Sequence, residues 1–278
     1  MALRTSELLR KKPFLIMGIL NVTPDSFYDG GRHHSAEAAV RHVYRMKEEG
    51  VDMIDIGAES SRPGSTPLSA EEEWNRLYPV LTVLSNDKFD LPISIDTRKA
   101  EIASMACSLG ATIINDISAG RSDAGMLRIA KEAGADIILM HMKGTPETMQ
   151  DKPAYADALQ EVRAELRSFA KSALAAGIER ERIILDPGIG FGKRKEDNLA
   201  LLAGTSRIAE LGFPVLMGVS RKSLIGSITG APPEGRLPGT IALNALAFSR
   251  GARIFRVHDV KENRQALECA AETLASAG

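Results

Sequence analysis

The sequence predicts an α/β fold, a closed (β/α)8 barrel running as a single domain over residues 1–278, and three observations predict it. Short apolar runs alternate eight times with longer amphipathic segments. The apolar runs do not themselves alternate: Ile183–Leu185 and Val215–Met217 are apolar throughout, as parallel strands covered on both faces must be. Gly50, Gly110, Gly134 and Gly251 stand shortly ahead of strands, where a helix ends and a short loop returns to the sheet. An open doubly wound sheet is the alternative. No composition break marks a linker or second domain.

The elements follow in order. Phe14–Leu20 reads as the first strand, and Ser35–Glu49 as a helix capped by Ser35. Asp52–Ile56 precedes a helix over Ala70–Leu84, with Ser69 as N-cap and Glu72 completing a capping box. Strand Ile93–Ile95 leads to helix Ala100–Leu109, and Thr112–Ile114 to Ala124–Glu132. Asp136–Met140 is followed by a long helix over Tyr155–Ala176, and Arg182–Leu185 by Glu196–Ala203. Val215–Met217 with helix Thr240–Arg250, then Arg253–Arg256 with helix Lys261–Ala275, complete the eight units.

Composition narrows the partners. The chain has 278 residues, 44% of them hydrophobic, which is ample for a core. Its 35 Lys and Arg nearly cancel 36 Asp and Glu, so global charge points to neither nucleic acid nor membrane. Cys107 and Cys269 lie in apolar helical patterns and read as reduced core thiols. The opening MALRTSELLRKK has no uninterrupted apolar core and does not read as a secretory signal, and no run reaches transmembrane length. The expected address is cytoplasmic.

Chemistry gathers at the strand ends. The strands run into Asn21, Asp55, Asp96, Asn115 with Asp116, Met140 with His141, Asp186, Ser220 with Lys222, and Arg256 with His258. In a barrel that rim is where active sites lie. Solvent at strand ends explains one or two such residues, but not acids or amides on the first four strands and again on the sixth. Asp96, Asn115 and Asp186 suit a ligand rich in N–H donors, such as an aminopyrimidine-type ring, with Met140 and Phe191 as its apolar faces. Asp96 alone, before Thr-Arg-Lys, would be an ordinary N-cap. Arg62, Lys222, Arg256 and His258 form a separate basic group. Strand alternation places Arg256 and His258 on one side, a pair that fits a phosphate or pyrophosphate. The competing reading pairs them with nearby acids, Asp259 among them.

Two polar loops rich in Pro and Gly, within 21–34 and 57–67, read as lids over this rim. His33 and His34 read as solvated. After Gly188 and Gly190, Lys193 stands where a dinucleotide fingerprint needs glycine. There is no P-loop, no nucleophile elbow and no zinc signature. Mg²⁺ shared by Asn21 and a pyrophosphate fits an ion that keeps its waters and takes few protein ligands.

The motifs MGILNVTPDSFYDGG, IDIGAESSRPG, SIDTRK, INDISAG, MHMKGTPETMQ, ILDPGIGFGK, GVSRKSLIG and RIFRVHDV occur in that order. Together, from the first strand to the last helix, they resemble the dihydropteroate synthases of bacterial folate biosynthesis. The resemblance implies a barrel enzyme, usually homodimeric and a sulfonamide target. It would join 6-hydroxymethyl-7,8-dihydropterin pyrophosphate to p-aminobenzoate by an SN1-like route with Mg²⁺. It implies a pterin site at Asp96, Asn115, Met140, Asp186, Gly218 and Lys222, and a pyrophosphate and Mg²⁺ end at Asn21, Arg62, Arg256 and His258. It implies a p-aminobenzoate pocket at Phe27, Ser61, Pro63, Phe191 and Ser223. Asp96, Lys222, Arg256 and His258 would carry the catalysis. Ser61 stands where the family usually has Thr, and Ala58 where it usually has Gly, which bears on the second loop. The rival readings are a pterin-binding methyltransferase barrel, against which Arg256 with His258 and the N-V-T-P-D-S-F loop argue, and a non-catalytic binding barrel.

Overall fold

The computed structural model describes residues 4–22, 32–59, 67–149, 151 and 153–276, with the side chains of 32–35 left aside. Its strands are β1 (Leu15–Asn21), β2 (Met53–Gly57), β3 (Ile93–Asp96), β4 (Ile113–Asp116), β5 (Asp136–Met140), β6 (Ile183–Asp186), β7 (Leu216–Met217) and β8 (Ile254–Val257). They are hydrogen-bonded in the order β6-β5-β4-β3-β2-β1-β8-β7, with every pairing parallel. A parallel bridge between Leu185 and Val215 joins the two ends of that order and closes the barrel. The open-sheet alternative is thereby excluded.

The helices are α1 (Thr5–Lys11), α2 (Arg32–Glu48), α3 (Ala70–Asn86), α4 (Ala100–Ser108), α5 (Met126–Ala133) and α6 (Ala158–Ala175), then α7 (Lys195–Ala203), α8 (Thr205–Ala209), α9 (Ser223–Thr229), α10 (Leu237–Ser249) and α11 (Val260–Ala275). In α3, Leu77, Val80, Leu81 and Leu84 are buried at the spacing of one helical face. Its start is set as the sequence requires: Ser69 Oγ accepts from Glu72 N at 3.2 Å, and Glu72 Oε2 accepts from Ser69 N at 3.0 Å.

Three expectations need correction. Cys269 is exposed rather than a core thiol, and Cys107 is half-buried. Ser35 does not cap α2, because the helix already begins at Arg32. Tyr155 lies outside α6, whose N-cap is Asp157, accepting from Gln160 N at 3.1 Å. The short helices α1, α8 and α9 were not foreseen; α1 has a structural duty.

The barrel interior is packed. Leu15, Met17, Met53, Ile113, Ile138, Ile184, Leu216 and Ile254 form one buried cluster, and Leu8 and Leu9 of α1 pack against it as a floor. That floor is tied down from two sides. Asp136 Oδ2 accepts from Thr5 N at 3.0 Å, and Arg253 Nη2 donates to the carbonyls of Leu9 and Lys12 at 3.1 and 3.0 Å. Buried Asp52 accepts from Ile16 N at 2.7 Å and from Arg264 Nη2 at 2.6 Å, joining β1 to α11. In barrels of this kind the N-terminal end serves stability and the opposite rim carries the chemistry. Among the described residues, no helix is long and apolar enough to cross a membrane.

Candidate active site

Strand period two selects the site. The floor layer includes Met53, Ile113, Ile138, Ile184, Leu216 and Ile254, with buried Ser94 completing it from β3. Two residues further along the same strands come Asp55, Asp96, Asn115, Met140, Asp186, Gly218 and Arg256. One polar layer therefore lies directly above an apolar one.

The first half of that layer is a single hydrogen-bonded cluster. Asp55, fully buried, accepts from Ser94 Oγ at 2.6 Å, from Asn115 Nδ2 at 3.0 Å and from Arg256 Nε at 2.6 Å. Arg256 Nη2 also donates to Asp96 Oδ2 at 2.9 Å. These contacts reach from β8 past β1 to β2 and β3. Burial and the neighbouring Asp55 carboxylate push Asp96 above the usual carboxylate range, and Arg256 pulls it back.

This corrects one part of the expected division of the rim by charge. Arg256 does not stand apart from the acids; it is held between two of them. Asp259 pairs with Arg221. Asp55 was visible as a strand end but was not assigned to the site. The signal was available, since Asp55 follows Met53 by two residues and so shares its face.

The second half is built by the loop after β6. Asp186 Oδ1 accepts from Gly188 N at 2.7 Å. Burial raises its pKa, against the pull of the Lys222 charge. Lys222 Nζ lies 4.3 Å over the Phe191 ring and donates to the carbonyl of Ile189. Burial lowers the Lys222 pKa to about 8, with Asp186 opposing. Met140 packs with Ile117, Met142 and Met149, and Phe191 lies against that group. A Cβ built on Gly218 would meet nothing within 4 Å, so there is open space beside it.

Beneath this wall sits a pair not assigned from sequence. Lys193 Nζ, 4% exposed as a residue, is 3.0 Å from Nδ1 of fully buried His141. Burial lowers the Lys193 pKa to about 7, and the Asp186 charge raises it. Burial, then the Lys193 charge, pushes His141 down to about 2, with Arg121 and Lys143 adding to the effect. The carboxylate facing it is Glu165, 3.5 Å from Nε2. A histidine depressed from 6.5 stays neutral when folded but takes up a proton when unfolded, so its stabilisation is full above 6.5 and is lost as pH falls toward 2. His141→Asn keeps an acceptor but cannot titrate. Between about pH 6.5 and about pH 5 the wild type should lose about 2 kcal/mol more than this variant in urea unfolding. Parallel losses in the two proteins would show that His141 is charged in the fold.

The remaining expected residues lie higher on the rim. His258 Nδ1 is 2.9 Å from Ser220 Oγ. Asn21 is exposed at the end of β1, and Ser223 is exposed at the first position of α9. Phe27, Ser61, Arg62 and Pro63 lie outside the described residues, as do most of the two expected lid loops. The stem of the second loop is described. Glu59 accepts from Leu68 N at 3.2 Å across the loop's base, and also from Lys99 at 2.8 Å and from Arg98. Buried Ala58 accepts from Arg76 Nη1 through its carbonyl at 3.2 Å.

For Mg²⁺, the donors present decide. Among the described residues no three His, Cys, Asp or Glu side chains are grouped to hold a metal. Asn21 offers one exposed amide oxygen, which fits an ion carried mainly by a substrate's phosphates and water rather than a protein cage.

A closed parallel barrel with a polar interior layer at its C-terminal mouth is an enzyme barrel, and its acids, amide and cations converge on space for a small polar ligand. Comparison with known proteins refines that class. The pterin binding enzyme family model matches residues 17–258. Dihydropteroate synthase of Escherichia coli strain K12 is 44% identical over 261 residues, covering 94% of this chain and 92% of that protein. The Bacillus subtilis strain 168 dihydropteroate synthase is 43% identical over 259 residues, covering 93% and 88%. Among solved structures, Xanthomonas albilineans dihydropteroate synthase with 4-aminobenzoic acid has a TM-score of 0.88 at 45% identity, covering 94% of this chain and 93% of that one. The same organism's enzyme in complex with 7,8-dihydropteroate has a TM-score of 0.85 at 43% identity, covering 94% of each chain. This chain belongs to the pterin binding enzyme family and groups there with the dihydropteroate synthases.

Proposed function

We propose that this protein joins 6-hydroxymethyl-7,8-dihydropterin pyrophosphate to p-aminobenzoate, giving 7,8-dihydropteroate and pyrophosphate, as a homodimer in the cytoplasm. The observation that carries this reading is the polar interior layer, in which Asp96, Asn115 and Asp186 share one level of the barrel with Gly218, beside which there is open space. A pterin presents several N–H donors in one plane, and these are its acceptors. Met140 lines the slot, and Lys222 closes its edge.

The leaving group lies toward Arg256 and His258, joined by Arg62 and Asn21. Two of the five N–H donors of Arg256 go to Asp55 and Asp96, which leaves donors for phosphate oxygens. Asn21 would hold Mg²⁺ together with the pyrophosphate, and the ion supplies positive charge for the departing oxygens. The C–O bond breaks ahead of attack, and Asp96 and Asp186 offset the charge left on the pterin methylene. Phe27, Ser61, Pro63, Phe191 and Ser223 seat p-aminobenzoate, whose amine forms the new C–N bond and gives up a proton. Catalysis is then positioning plus charge stabilisation.

The pyrophosphate ester and labelled p-aminobenzoate should yield labelled dihydropteroate; no product would leave a binding barrel or a methyltransferase as the better reading. Arg256→Ala separates the two ends of the site. It should weaken the ester about tenfold more than the bare dihydropterin in calorimetry. Equal losses on both ligands would remove Arg256 from the phosphate end.

A further inference from the structure

We propose that Lys193 and His141 form a buried strut that positions the ligand wall, acting on the ligand through Asp186 and Phe191 without touching it. The proposal rests on the pterin reading of the pocket and assigns the residues that hold the pocket in shape.

The Lys193 ammonium sits where two loops meet. Besides His141 Nδ1, its Nζ reaches the carbonyl oxygens of His141, Gly188 and Phe191 at 3.1, 2.9 and 3.0 Å. The first belongs to the loop after β5, the other two to the loop after β6. Those loops pack backbone against backbone. A Cβ at Gly188 would overlap the His141 carbonyl oxygen, and one at Gly192 the Lys143 carbonyl oxygen, while φ at the two glycines is 65° and 61°. Carbonyl oxygens brought together repel, and a cation among them reverses the sign of that interaction. A lysine suits the space because its ammonium is compact and its three rotatable donors can be shared among these four acceptors. Nδ1 accepts from it, so the His141 proton is assigned to Nε2.

What the strut holds is the ligand wall. Gly188, whose carbonyl accepts from Lys193, donates its N–H to Asp186 Oδ1 and so fixes that carboxylate. Phe191 N donates to Gly188 O at 3.1 Å, and its ring lies under Lys222 Nζ. His141 N donates to Asp186 O at 2.9 Å, which keeps β5 and β6 in register to their last residues. One buried cation therefore sets an acid, an aromatic face and, through Ile189, a second lysine.

The test is calorimetric titration of the wild type and four variants with 6-hydroxymethyl-7,8-dihydropterin, at a temperature where circular dichroism shows each folded. Lys193→Met keeps the stem and removes the ammonium, and should raise Kd about tenfold or more. His141→Leu should do the same. His141→Asn restores an acceptor near Nδ1 and should return Kd to within about twofold of wild type. The double variant Lys193→Met/His141→Leu should bind no more weakly than Lys193→Met alone, because both changes break one unit. A folded Lys193→Met with wild-type Kd overturns the proposal, since a purely structural lysine would change unfolding and leave affinity alone. If Lys193→Met does not fold, His141→Leu against His141→Asn decides, and equal affinities overturn it. A wild type that does not bind dihydropterin overturns the pterin reading itself, a result distinct from a variant that binds as well as wild type.

Discussion

Replacing Asp186 by Asn is expected to weaken dihydropterin binding by about 2–4 kcal/mol, roughly 30- to 1000-fold in Kd. The substitution preserves shape, so the loss reports charge and donor pattern. Asp186 is 7% exposed as a residue, and Gly188 N already holds one of its carboxylate oxygens. What remains faces the slot as an acceptor. An amide there offers one oxygen and two hydrogens, and a ligand edge made of N–H donors meets a donor in one of the two orientations. The change also takes from beside Lys222 and Lys193 a carboxylate that raises both their pKa values against the effect of burial. Calorimetry with the bare pterin is the direct measurement. An unchanged dissociation constant would place the ring elsewhere on the rim.

Asp55→Ala should be the most damaging single change in the interior layer. It removes the acceptor shared by Ser94, Asn115 and Arg256, and leaves the guanidinium with Asp96 alone. Breaking a buried ion pair by deleting one partner costs about 3–5 kcal/mol. Urea unfolding should show that loss. The surviving folded enzyme should lose about 100-fold in kcat/KM, because Asn115 and Arg256 are no longer fixed against the substrate. A variant with wild-type unfolding and wild-type kinetics would mean that Asp55 is a spectator of the cluster.

Much of this was readable in the chain, for identifiable reasons. Parallel strands covered on both faces leave unbroken apolar runs, so all eight strands were legible to within two residues. The rim followed from asking what each run ends on. Pairing did not follow. Arg256 meets Asp55 and Asp96 across 201 and 160 residues, and those contacts exist only once β8 has closed against β1. A basic residue two positions from a histidine looks like an anion site; nothing local shows it already held by acids. Lys193 was misleading in another way. A lysine after Gly-x-Gly-Phe-Gly looks like the solvent end of a loop, and its burial depends on how closely Gly188 and Gly192 let the next loop approach. The helices α1 and α9 have seven residues each, two turns, too few to show a helical period above the surrounding pattern.

The floor under the barrel has a consequence for how the chain is made. The helix that plugs it is synthesised before any strand, yet its anchors are Asp136, 131 residues from Thr5, and Arg253, 244 residues from Leu9. On a ribosome it has no finished surface to dock on until the eighth strand has emerged, and the first strand waits equally long for its second neighbour. The barrel should therefore complete late and slowly, with its most distant contacts made last. A nascent chain stalled before residue 253 carries an unpaired edge on β1 and an uncovered greasy mouth, the features that chaperones recognise.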